Sequence, residues 1–125
     1  MPITYSRVIA YLDAIADKGI NKTEDAPHDR FWKDLSREQF VNGTVPNVHC
    51  HGADIPIIDH ENPANSSFFL VLKANAAFCN KAQMPRGGPW ITDEGYAITL
   101  LDGSQVSGQQ IQDDIIDWLL NGFPE

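Results

Sequence analysis

Apolar positions recur along the chain at helical spacing in some stretches and alternate in others, and proline, glycine and asparagine separate them into short elements. Val8, Ile9, Leu12 and Ile15 fall on one stripe between Tyr5 and Lys18, so an amphipathic helix is predicted there, stopped at Gly19. In "HDRFWKDLSREQFVNG", Phe31, Trp32, Leu35 and Phe40 with a capping box from Ser36 to Gln39 predict two short helices or turns. Asn62 as N-cap, Pro63 at the first helical position and the apolar run through Phe69 and Leu72 predict a further helix. Asp102-Gly103 between alternating apolar residues predicts a small hairpin with a two-residue turn. The last segment carries Ile111, Ile115, Trp118 and Leu119 on one face, Ser107 and Gln110 at capping-box spacing, and Gly122 and Pro124 as stops.

Between the second and third of these, residues 44–63 contain few strong helix formers and read as a long loop. Loops of that length in compact domains usually wrap a site or a partner. A loop packed on Ile55, Ile57 and Ile58 with no ligand fits the same residues. No repeat or low-complexity tract interrupts the pattern, so residues 1–125 are expected to form one domain, mostly α-helical with long loops and a small β-hairpin.

Composition narrows the function. A chain of 125 residues that is 42% hydrophobic can bury an ordinary core without staples. Nine basic against seventeen acidic residues give a net charge of −8, which argues against nucleic acid or an anionic membrane as partner. The expected partner is a protein. No run approaches the ~18 to 20 apolar residues of a membrane helix, and the start lacks the basic and apolar regions of an export leader. The chain is therefore expected in the cytoplasm if Met1 is the native start, or in the periplasm if a leader has been removed.

The candidate chemistry gathers at "NVHCHG". Cys50, His51 and Gly52 match the second half of a haem-attachment motif, C-x-x-C-H-G, but Asn47 stands where the first cysteine belongs. His49 and His51 alternate along the chain, so on an extended strand they share a face and could hold copper, nickel or zinc, with Met84 or His60 completing the set. With no third ligand evident, two solvated histidines on a surface loop are the simpler reading. Cys50 and Cys79 are either a disulfide, favoured in an oxidising compartment, or two buried thiols. His28 reads as a polar contact near the start of a short helix.

An enzyme is not indicated. Asp113, Asp114 and Asp117 lie on the last helix, Ser66 and Ser67 lack a G-x-S-x-G elbow, and "PRGGP" lacks the spacing of a phosphate loop. Sequons at Asn21, Asn42 and Asn65 would matter only in a secreted eukaryotic protein.

Three segments, "DHENPANSSFFLVL", "QMPRGGPWITDEG" and "IQDDIIDWLLNGFP", make the last two thirds of the chain resemble bacterial class I cytochrome c domains. The resemblance implies a mostly α fold with packed N- and C-terminal helices. It also implies Met84 and His51 as the axial pair of a haem c, with Cys50 as a single thioether anchor. In that family the attachment motif follows directly upon the first helix, where this chain has "AYLDAIADKGINK" with neither cysteine nor histidine. That order favours a cytochrome c-like domain without covalent haem, serving as an interaction or ligand-binding module beside a redox protein such as an oxidoreductase. A single-thioether electron carrier and a small copper or zinc protein using His49, His51 and Met84 are the alternatives.

Overall fold

The computed structural model describes residues 3–19, 31–74, 79, 81, 83–85 and 87–125. His28 and the sequon at Asn21 lie outside the described residues.

Helix α1 (Tyr5–Lys18) begins at Thr4, whose hydroxyl accepts from the Arg7 amide, and buries Val8, Tyr11, Leu12, Ile15 and Ala16. Ile9 is only half-buried, while Tyr11 and Ala16, outside the predicted stripe, are buried beside Val8, Leu12 and Ile15. At its end, a Cβ on Gly19 would stand 2.7 Å from Cβ of Pro85, a close approach that only glycine permits. Phe31–Asp34 forms a 3-10 turn, and α2 (Arg37–Asn42) follows from a reciprocal capping box between Ser36 and Gln39.

The expectation of a mostly α, cytochrome c-like fold is overturned in the next stretch. Thr44–Cys50 and Ala53–Pro56 are not loop but strands β1 and β2 of an antiparallel pair, in register at His49 with Asp54 and Cys50 with Ala53. Two residues, His51 at φ 53° and Gly52 at φ 80°, connect them, and two successive left-handed residues make the tight turn that suits strand twist. The pairing is irregular between Thr44 and His49, where Pro46 lacks an amide to donate. Among the described residues the chain has four α-helices and two small two-stranded sheets, an α/β mixture.

The predicted third helix is split. Pro63–Asn65 is a 3-10 turn and α3 (Ser67–Lys73) starts anew, because Ser66 turns extended between them. The Ser66 hydroxyl donates to the Pro63 carbonyl and accepts from the Asp59 amide, local bonds that compete with a continuous helix. Asn62 makes no side-chain cap; the Asp59 carboxylate takes the amides of Glu61 and Asn62 instead.

Strands β3 (Ala97–Thr99) and β4 (Gln105–Ser107) pair about a turn one residue longer than predicted. The Gly103 amide donates to the Leu100 carbonyl and Gly103 sits at φ 87°, a type of three-residue loop in which glycine takes the left-handed position. Helix α4 (Gly108–Leu120) is capped by Ser107 and buries Ile111, Ile115, Trp118 and Leu119, the four residues its periodicity marks. It ends with Gly122 at φ 81° and the Phe123 amide on the Trp118 carbonyl, the six-to-one bond of a Schellman stop. Arg37 donates to the carbonyls of Gly122 and Phe123, placing a cation at the negative end of the helix.

The two terminal helices meet in the core. Tyr5 stacks on Trp118 with ring centres 6.2 Å apart, its amide donates to the Pro124 carbonyl, and Tyr11 reaches Asp114. Phe40, Phe68 and Phe69 fill the interior beside them, with Ile57 and Ile58 from the end of the β1–β2 segment.

Candidate functional site

The β1–β2 turn carries the chemistry. Pairing of Cys50 with Ala53 holds the cysteine at the end of β1, and Cys79, itself left-handed at φ 51°, bonds to it as a disulfide with Cα atoms 6.0 Å apart. One ring nitrogen of His51 joins the two sulfurs, so that single donor atoms from Cys50, His51 and Cys79 all lie within 4.8 Å of one another. Both cysteines are half-buried, while His51 is exposed to solvent. The cluster is therefore reachable from outside.

His49 and His51 do not lie on one extended strand. The left-handed φ of His51 ends the alternation of faces at Cys50, and Nε2 of His49 instead meets Asp54 across the hairpin at 3.3 Å. With side chains 55% and 71% exposed, that pair contributes little to stability. His60 is engaged elsewhere: Nε2 donates to the Val41 carbonyl at 2.8 Å and the ring stands edge-on to Phe123.

Met84 is half-buried against the core, with its amide on the Val71 carbonyl of α3 at 2.7 Å. Its loop is tied down on both sides. The Gln83 side chain donates to the Leu72 carbonyl and to the Thr92 hydroxyl, and the Trp90 indole donates to the carbonyls of Gln83 and Pro85. These bonds, together with the contact of Pro85 on Gly19, hold the Met84 segment between the ends of α1 and α3.

Other candidate residues serve the scaffold. Ser67 donates to the Pro56 carbonyl and Ser66 closes the turn described above. Asp113 accepts from Gln109, and Asp117 from Asn121. Asp114 is different, because the buried Tyr11 hydroxyl donates to it while Arg7 Nε donates to Tyr11 at 3.2 Å. Burial, reinforced by the Asp114 carboxylate, raises the Tyr11 pKa. Sequence reasoning missed this network, although Arg7 and Tyr11 stand one helical turn apart and Tyr11 interrupts an otherwise aliphatic stripe.

A groove of about 740 Å³ runs between α1 and the β3–β4 hairpin. Ala10, Ala14 and Ile98 form part of its wall, three cations (Arg7, Lys18 and Lys33) and three carboxylates (Asp13, Asp17 and Asp102) line it, and Leu101 stands fully exposed at the hairpin turn. Among the described residues no helix is long and apolar enough to cross a membrane.

No protein-family model matches the chain, and neither a curated protein nor a solved structure matches it.

Proposed function

We propose that this chain is a haem-free interaction or ligand-binding module whose Cys50–Cys79 staple suits it to an oxidising compartment. The observation that carries this reading is the disulfide itself. A thioether to haem needs the sulfur of Cys50, and that sulfur is committed to Cys79; a bonded cysteine cannot serve as the anchor. Disulfides persist where the surroundings are oxidising, so the protein works outside the reducing cytoplasm.

The interaction face is the groove beside Leu101. A fully exposed leucine over a partly apolar groove is a natural contact for a protein segment. The net charge of −8 favours a neutral or basic partner, an oxidoreductase among them. Purified protein made with an export signal and the haem-maturation system should be colourless. A Soret band would refute the haem-free reading. For the face, Leu101→Asp should abolish retention of a partner that the unaltered chain captures from its native host. Equal retention by both would place the face elsewhere.

A further inference from the structure

We infer that reduction of Cys50–Cys79 uncovers a zinc site made of the two thiolates and the imidazole of His51. This rests on the reading of Cys50 as free of haem, and on nothing else in that reading. Structural and reactive zinc alike is held by cysteine sulfur at ~2.3 Å and histidine nitrogen at ~2.0 to 2.1 Å, so tetrahedral donors stand about 3.5 to 3.8 Å from one another. The donors here already lie within 4.8 Å. Opening the S–S bond lets the sulfurs move apart to that spacing, and a Cα separation of 6.0 Å leaves room for them to do so by side-chain rotation.

The local backbone supports a built cluster. His51 occupies one of the two left-handed turn positions, where asparagine or glycine is usual, and Cys79 is left-handed as well. A histidine is not needed to make that turn. Its presence next to both sulfurs, exposed to solvent, gives the site a third ligand and an entry path. Three protein donors leave a fourth position for water.

The chemistry balances with a dithiol as reductant. Its two S–H groups are oxidised to a disulfide while Cys50–Cys79 takes up the two electrons and two protons and becomes two thiols. Zinc(II) then displaces one proton from each thiol, and the neutral His51 ring donates a lone pair. In the oxidised form no thiolate exists, so the site is closed.

Cobalt(II) is the probe, because thiolate-bound tetrahedral cobalt is coloured. The full chain is reduced with a dithiol, freed of reductant under anaerobic conditions and titrated, with near-ultraviolet circular dichroism reporting the fold. One equivalent of cobalt should give thiolate charge-transfer and tetrahedral ligand-field bands, and zinc should bleach them. Oxidised protein should give neither. His51→Asn preserves a residue that tolerates the left-handed turn, and should shift the bands and weaken binding. Absence of bands in folded reduced protein, bands unchanged in His51→Asn, or bands only after the fold is lost would each overturn the site. A haem adduct on Cys50 would instead refute the haem-free reading, which the titration leaves untouched.

Discussion

The Tyr11 hydroxyl, at the centre of the first helix, donates to the carboxylate of Asp114 on the last, and Arg7 donates in turn to Tyr11. The bond joins positions 103 apart in the chain, beside a core rich in aromatic and aliphatic contacts. Removing the hydroxyl leaves the carboxylate without a buried partner. Tyr11→Phe is expected to cost about 1 to 3 kcal/mol, read as a fall in the urea midpoint with an unchanged slope. A neutral result would mean that Asp114 is fully satisfied by Gln110, which also donates to it.

Trp118 is completely buried, and its indole donates to the Pro124 carbonyl at 2.8 Å. Trp118→Ala should cost about 3 to 5 kcal/mol, the range for a large buried aromatic. A loss below ~1 kcal/mol would contradict its central place on α4 against Tyr5 of α1.

Tyr96 behaves oppositely. Its hydroxyl is buried and has no hydrogen-bond partner among the described residues, and burial pushes its pKa up to about 12. Tyr96→Phe removes an unpaired polar group, so stability should hold or rise. Tyr5 is likewise pushed up to about 12 by burial. Both raised pKa values mean that the folded chain keeps protons that the unfolded chain releases from about pH 10. Neither group costs the fold anything by ionising below pH 10, and stability is lost as pH rises from 10 towards 12, where the unfolded chain ionises and the buried hydroxyls do not. Denaturation midpoints measured across that window should fall, and should fall less steeply in Tyr96→Phe.

Much of the helical framework was legible because its signals are local. Ser36 with Gln39, Ser107 at the start of α4, and Gly122 at its end specify helix boundaries through bonds within a few residues. The β1–β2 hairpin was not legible, for two reasons. Pro46 demotes a strand reading, and His51-Gly52 replaces the Asn-Gly that would have marked the turn. The same turn separates the two histidines: an extended strand would put His49 and His51 on one face, and the left-handed φ of His51 ends that alternation. The disulfide was one of two open readings of Cys50 and Cys79. Nothing in the sequence brings residues 29 positions apart together; only the fold does.

The staple should carry measurable stability. A disulfide between positions 29 apart restricts the unfolded chain, and for a closed loop of that size the stabilisation is about 3 to 4 kcal/mol. Replacing both cysteines with alanine should lower the unfolding free energy by that amount. A change below ~1 kcal/mol would show a bond that is strained or rarely formed.

The haem-free reading of Cys50 is tested most directly by the intact mass of the chain, made with an export signal and the haem-maturation system, before and after reduction and alkylation. The expected result is the polypeptide mass less two hydrogens, with two alkylated thiols appearing only after reduction. A mass greater by one haem, absent from Cys50→Ala, would contradict it and make Cys50 a thioether anchor.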